Sequence, residues 1–301
     1  MYDDVLDLYA DADRRLPDVD PHGRLMILSC GIALHHARVS LAAAGYEPAV
    51  DRMPDAGQPS LLARIRDRRA RPATEERLAA YRSMRLRHTD RRLFADGMPV
   101  PDEVLTQLRV AAEAEGARLH PLQQQDVVYL GYAAQGAHTV GAHDARAAAE
   151  LHRWTHRGAD APDGVPVGTV AGAADRPVPL RDFGLGDEAA LPPGTGDDTD
   201  AVYLVVATVS DEPVDWLVAG EATSAVWLTA TTQGLVGSPM SDVIEIPGAR
   251  ALVRSLLQPP GQPQLVLRFG LAQTAEPPVS PRRPASDTVT VTERRTIGEG
   301  V

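Results

Sequence analysis

Residues 219–239 read AGEATSAVWLTATTQGLVGSP, and they have a counterpart near the other end of the chain, where residues 30–48 read CGIALHHARVSLAAAGYEP. In both, Gly-x-Ala opens an alanine-rich segment that a second glycine closes, Gly31 to Gly45 and Gly220 to Gly234. Alanine is the strongest helix former, and glycine just past a helix is its commonest stop, so each segment reads as a helix with a defined end. Small residues on both allow close helix approach. A chain carrying this unit twice is expected to consist of two related halves.

Around these helices the order of elements is mixed. VLDLYA (5–10) alternates apolar and polar residues as a half-buried strand does. A helix over 23–44 follows, started by Asp20-Pro21 and stopped by Gly45. PAVDRMP is a short strand candidate. Two arginine-rich helices are expected over 60–70 and 74–85, separated by Pro72, the second begun by Thr74. Then come a helix over 102–115 with Leu105, Leu108 and Ala112 on one face, a strand at ARLHPL, and a mostly helical run over 123–157. Residues 154–200 hold many Pro and Gly with little periodicity, the signature of a long loop or lid. AVYLVVATV (201–209) is a continuous apolar run suited to the middle of a sheet. After the second Gly-x-Ala helix, a helix near 248–257, the strand QLVLRFG and a Pro/Arg-rich tail complete the chain. The expected class is α+β, divided as 1–72 and 73–301, with the loop of 154–200 inserted in the second part.

Composition removes several chemistries. The 301 residues contain no lysine and no asparagine, so Schiff-base catalysis and a Walker P-loop are excluded. Cys30 is the single cysteine, which rules out an internal disulfide and any multi-cysteine metal site. No run of about 18 apolar residues occurs, and the acidic start MYDDVLDLYADADRR is not a signal peptide, so a cytoplasmic protein without a membrane partner is expected. The net charge of −11 argues against a nucleic-acid partner. That charge is uneven: between Arg64 and Arg92, eleven arginines face only Asp67, Glu75, Glu76 and Asp90. Either an anion belongs there, or the arginines pair with acids elsewhere in the fold.

Most of the familiar motifs fail on inspection. GLGDEA (184–189) follows no strand and opens no helix, so it does not read as a dinucleotide fingerprint. His152 and His156 stand one turn apart but lack the glutamate of a zinc protease helix, and they read as helix-surface residues; no metal is expected. His35 and His36 are neighbours on different helix faces and form no chelate, and Cys30 sits among apolar residues. RLRHTDRRLF (85–94) carries the most chemistry. Arg87, Thr89 and Arg91 alternate, so an extended backbone turns two guanidinium forks and a hydroxyl the same way, as a phosphate monoester requires. A salt-bridged surface loop is the competing reading.

RHTDRRLF with the following MPVPDEVLTQLRVAAEAEGARLH resembles the flavin-phosphate-binding start of the nitroreductase family. DWLVAGEATSAVWLTATTQGLVGSPM is similar to that family's later helix, which ends in Gly-Leu next to the flavin ring. Together with LDLYADADRRLPDVDPHGRLMILSCGIALHH and PQLVLRFG, these motifs resemble the Acg-like nitroreductases over nearly the whole chain. The resemblance implies FMN as cofactor and NAD(P)H as reductant, with a nitroaromatic, quinone or similar small molecule as electron acceptor. It implies Arg87, His88, Thr89 and Arg91 at the phosphate, Gly234, Leu235, Ser238, Pro239 and Met240 beside the isoalloxazine, and Arg283 as a further basic phosphate contact. Ordinary members are homodimers with flavin sites at the interface. Acg-like members are implied to fuse two degenerate copies, which makes the helices at Gly31 and Gly220 equivalent dimer-core helices and the chain a pseudo-dimeric monomer or a homodimer. Full-length relatives are implied to begin with a helix and an asparagine-bearing segment that reaches the flavin ring; this sequence starts after that segment. Three functions share these residues: an FMN oxidoreductase, a flavin-sequestering protein with little turnover, and a cofactor-free relic that binds a partner.

Overall fold

The two Gly-x-Ala segments form the long helices α1 (Arg24–Ala43) and α6 (Pro213–Thr232), which cross at the first glycine of each. A Cβ on Gly31 would lie 2.1 Å from the Leu217 carbonyl oxygen, and one on Gly220 would lie 2.0 Å from the Leu28 carbonyl oxygen. Only glycine at both positions lets the backbones approach this closely. The computed structural model that shows this describes residues 5–70, 72–157, 161–186, 189–273 and 279–292. By length and composition α1 is apolar enough to cross a membrane, but it carries Arg24, His35, His36 and Arg38 and lies in the α1–α6 contact.

Each long helix carries its own sheet. Strands β1 (Val5–Tyr9), β2 (Tyr46–Arg52) and β3 (Leu61–Ala70) form an antiparallel sheet in the order β1-β3-β2. Strands β4 (Arg118–Pro121), β5 (Val202–Thr208), β6 (Leu235–Met240) and β7 (Gln262–Leu271) form a second, in the order β4-β5-β7-β6. The connection β1-α1-β2-β3 thus has the same element order, strand order and antiparallel sense as β5-α6-β6-β7. The fold is α+β, as expected.

The expected helix over 60–70 is instead the central strand β3. Ala63 and Ile65 are buried while Arg64 is half-exposed and Arg66 exposed, a period of two rather than 3.6. Arg64 points to the outer face and binds Asp7 on β1 through Nε and Nη2 at 2.7 and 2.8 Å. The remaining helices are α2 (Glu75–Leu86), α3 (Asp102–Ala114), α4 (Gln124–His143), α5 (Ala145–Thr155), α7 (Asp242–Glu245) and α8 (Pro247–Ser255). Thr74 caps α2 as its sequence indicates, accepting from the Arg77 amide at 3.3 Å.

Packing follows the apolar faces. Leu204, Val206, Leu265, Leu267 and Phe269 face α3 and α6 on one side of the larger sheet. Tyr203, Val205, Ala207 and Val266 face α4, α7 and α8 on the other. Buried on both sides, β5 reads as a continuous apolar run. Helix α6 is itself enclosed, since Leu217 joins Leu34, Leu62 and Ile65 in the core of the smaller sheet.

The segment between α5 and β5 is irregular apart from short 3-10 turns such as Val167–Thr169, and it is held down at its far end by Asp198. That buried carboxylate accepts from the Phe94 amide at 2.8 Å and from Arg268 Nη2 at 2.6 Å, and pairs with Arg176 at 3.3 Å. Arg268 on β7 is fully buried, stacks on Phe94 at 3.6 Å, and donates to the Arg92 carbonyl. A buried arginine is tolerable only when paired and hydrogen-bonded in this way.

Candidate functional site

Helix α2 ends at Arg87, and the chain leaves it extended. Thr89 pairs with Gly237 of β6 as an isolated parallel bridge, and the Asp90 amide donates to the Gly237 carbonyl at 2.8 Å. This docking turns Arg87, His88, Thr89 and Arg91 into a cavity of about 290 Å³ whose other walls are Gly164, Val165, Thr169, Ser280 and Arg282. The cavity therefore draws on three separate stretches of chain. The structure brings together four of the ten residues singled out from the sequence.

The electrostatics are one-sided. Among the described residues, no carboxylate lies within ion-pair distance of Arg87, Arg91 or Arg282, whereas Arg64, Arg82 and Arg92 pair with Asp7, Glu75 and Asp90. Among the described residues of the arginine-rich stretch, Arg64, Arg66, Arg82 and Arg92 pair with carboxylates and Arg87 and Arg91 are turned to the cavity, while Arg77 and Arg85 do neither; Arg71 and the side chains of Arg68 and Arg69 lie outside the described residues. Burial, then repulsion from Arg282, lowers the pKa of Arg87. Burial, then repulsion from Arg181, lowers that of Arg91 to about 10 against the opposing pull of Asp90. Both remain cations near neutral pH, at a cost that an anion would offset. Arg87 is held over the Trp227 ring at 5.1 Å and Arg91 over Phe183 at 5.0 Å, contacts that orient a guanidinium without consuming its charge. His36 stands behind this group with its Nε2 buried and unpartnered, its pKa lowered to about 4 by burial and by Arg87 and Arg282.

The other sequence-derived residues fall elsewhere. Gly234 takes φ +76° where α6 ends, the left-handed stop its position implies. Leu235 and Met240 are buried in the two cores of the larger sheet, and the Ser238 hydroxyl accepts from Arg268 at 3.2 Å. Pro239 lies half-buried on β6. The Leu235, Ser238 and Met240 side chains are thus taken up within the protein, and the Gly237 backbone meets the segment carrying Thr89 and Asp90. Arg283 is turned from the cavity and binds Asp163; its neighbour Arg282 occupies the wall instead. Gly164, Val165, Thr169 and Ser280 carry no sequence signal, being unremarkable residues in irregular chain.

His152 and His156 stack on each other at 3.7 Å, and among the described residues no group of three or more His, Cys, Asp or Glu is placed to hold a metal. Within 184–189, Asp187 and Glu188 lie outside the described residues. Cys30 packs partly buried against the smaller sheet, its thiol pKa raised by burial and then by Asp11.

No protein-family model matches the chain. Among curated proteins it is 35% identical over 290 residues to "Putative NAD(P)H nitroreductase acg" of Mycobacterium tuberculosis, covering 95% of this chain and 86% of that protein. A second Mycobacterium tuberculosis protein, also described as a putative NAD(P)H nitroreductase, is 34% identical over 299 residues, covering 94% of this chain and 82% of its own length. Among solved structures, a nitroreductase with bound FMN from Desulfitobacterium hafniense is similar at TM-score 0.45 and 14% identity, over 71% of this chain and 98% of that one.

Proposed function

We propose that this chain, which belongs to the Acg-like nitroreductase family, holds FMN by its phosphate in the arginine-lined cavity and acts as an NAD(P)H-dependent oxidoreductase. The observation that carries the reading is the donor set: three guanidinia without carboxylate partners and the hydroxyls of Thr89, Thr169 and Ser280 around one cavity. It contains donors in excess and no acid, which fits a phosphate monoester dianion and disfavours a cation or a neutral ligand. Gly164 lets this part of the wall pack closely on the end of the preceding helix, because its φ is +85° and a Cβ there would meet the Trp154 carbonyl oxygen at 2.5 Å.

Arg87 and Arg91 would make the charge-assisted bonds that fix the phosphate, with Trp227 and Phe183 keeping both forks in place before the ligand arrives. Bound FMN supplies the hydride and electron transfer, from NAD(P)H to a nitroaromatic, quinone or similar acceptor. The shared topology of β1-α1-β2-β3 and β5-α6-β6-β7 supports two fused, diverged copies, packed through α1 and α6 as the partners of a dimer would be.

The test is retention of flavin. The purified protein, incubated with FMN and desalted, should keep the flavin absorption bands. R87A combined with R91A should weaken FMN by roughly a hundredfold or more, with a far smaller effect on riboflavin, which has no phosphate. Equal retention by the double variant would overturn the assignment.

A second reading, a flavin holder with little turnover, is favoured by the way the segment over 161–200 is fastened. Beyond Asp198, the Leu93 amide donates to the Pro193 carbonyl at 2.7 Å, and the Thr195 amide to Gln273 at 2.9 Å. FMN-loaded protein that consumes no NAD(P)H with a nitroaromatic would select that reading.

A further inference from the structure

Arg282 stands in the cavity wall beside another cation, without a carboxylate of its own. Among the described residues, the hydrogen bonds and ion pairs that join 279–292 to the rest of the chain are those between Arg283 and Asp163. The other polar contacts of that segment are internal, such as Arg282 Nη1 to the Ser280 and Pro281 carbonyls at 3.0 Å. Something must hold Arg282 against the repulsion from Arg87, and the adjacent residue does so.

Asp163 is built for this. Its Oδ1 receives Arg157 Nη2 at 2.6 Å, and its Oδ2 receives Arg283 Nε at 2.9 Å together with a second bond from Nη2. The two arginines come from the end of α5 and from the tail, so one carboxylate joins three stretches of chain. Arg157 is itself braced over Trp154 at 4.8 Å, and the Val165 amide donates to the Trp154 carbonyl at 2.8 Å. Asp163 is followed directly by Gly164 and Val165, which line the cavity, while Arg283 follows Arg282, which lines another part of its wall. The clasp therefore sets the distance between two walls by gripping the residue next to each.

We propose that Asp163 is a positioning residue: its clasp on Arg283 and Arg157 docks the tail and loads Arg282 into the cavity, so that tail docking and phosphate binding reinforce one another. This rests on the cavity being the phosphate site. The energetics follow from linkage. An undocked tail takes a cation out of the cavity and weakens the anion; a bound anion neutralises the repulsion between Arg87 and Arg282 and so stabilises the docked tail. The effect must be reciprocal.

The experiment uses the full chain and two probes, FMN and riboflavin, with R87A as reference. D163N, R283Q and R282Q should each weaken FMN about tenfold, leave riboflavin within about twofold, and give no further loss when D163N is combined with R282Q. In parallel, tryptic cleavage after Arg282 should slow when FMN or inorganic phosphate is added to the wild type, and should be fast and insensitive to either in D163N. If R87A weakens FMN while D163N and R283Q do not, the clasp is refuted and the phosphate site stands. If R87A also leaves FMN unchanged, the site reading itself fails. D163N that loses FMN and riboflavin alike would mean general disruption of the loop and would also refute the clasp, as would additive losses in the combined variant.

Discussion

Replacing Gly220 by alanine tests the contact on which the arrangement of the two sheets depends. The new Cβ would lie 2.0 Å from the Leu28 carbonyl oxygen and 2.8 Å from Gly31 Cα, both backbone atoms that no rotamer change can move. Ordinary contact begins at 3.4 Å, so α1 and α6 must part by about 1.4 Å. A gap of that size forfeits much of the dispersion energy along the crossing, and overpacking of this kind costs about 3 kcal/mol at the upper end of its range. Alanine regains about 1 kcal/mol of helix propensity, leaving a net loss of about 2 kcal/mol. Gly31→Ala should cost about the same, since its Cβ meets the Leu217 carbonyl oxygen at 2.1 Å. The double variant should lose clearly less than the two single losses together, because each methyl enters a gap the other has opened. Gly136→Ala on α4, where nothing lies within 4 Å, supplies the control and should gain about 1 kcal/mol. Urea unfolding at constant m reads all four. A Gly220→Ala protein as stable as the Gly136→Ala control, or strictly additive losses, would refute the close crossing.

Three further outcomes follow from the buried charges. Asp198→Asn leaves Arg268 and Arg176 without their carboxylate and should cost about 3–5 kcal/mol in urea unfolding, with faster amide exchange across 161–200; a cost under 1 kcal/mol would mean that water compensates both. The His35 pKa is lowered from 6.5 to about 4, chiefly by burial. The fold therefore accommodates the neutral ring, and its stabilising effect, complete above pH 6.5, is lost as pH falls from 6.5 towards 4 at about 1.4 kcal/mol per unit. His35→Gln should flatten that part of the stability profile, and an unchanged slope would contradict the burial argument. Inorganic phosphate should alter tryptophan emission, because the Arg87 guanidinium rests on Trp227 at 5.1 Å; the change should vanish in Arg87→Gln.

The sequence made the repeat legible because its signal is local: alanine runs closed by Gly45 and Gly234 mark helices wherever they occur. The same holds for β5, whose apolar run needs no context to be read as a central strand. Strand β3 was misread because LLARIRDRRA begins with three apolar residues that blur the alternation visible only from Ala63 onward, and its arginines are good helix formers. Tertiary pairing with Asp7 and burial between β1 and β2 decide the matter. At the site, Arg87 to Arg91 were legible as one run of alternating donors. Arg282 was not, since Arg282 and Arg283 are indistinguishable in PRRP until Asp163, more than a hundred residues away, claims one of them. Residues such as Gly164 and Thr169 reach the cavity only through the course of an irregular segment, and no periodicity encodes that course.

The uncompensated charge is the most informative feature of the site because the chain could readily have cancelled it. With 41 acidic residues against 30 arginines, carboxylates are plentiful, and they are used freely nearby on Arg64, Arg92, Arg157, Arg181 and Arg283. Arg87, Arg91 and Arg282 are half-buried or exposed cations grouped at one cavity, and their placement costs stability through desolvation of Arg87 and Arg91 and repulsion between Arg87 and Arg282. A surface built for stability alone would place an acid among them. Instead the nearest acids are spent one position away: Asp90 is folded back onto Arg92, and Asp163 onto Arg157 and Arg283. Each of these carboxylates stiffens the backbone beside a cavity-facing guanidinium while leaving that guanidinium without a carboxylate partner. That division, rigid support paired and cavity-facing charge without a carboxylate, is the arrangement expected of a preorganised anion site, and it is what supports the proposed phosphate site against a salt-bridged loop.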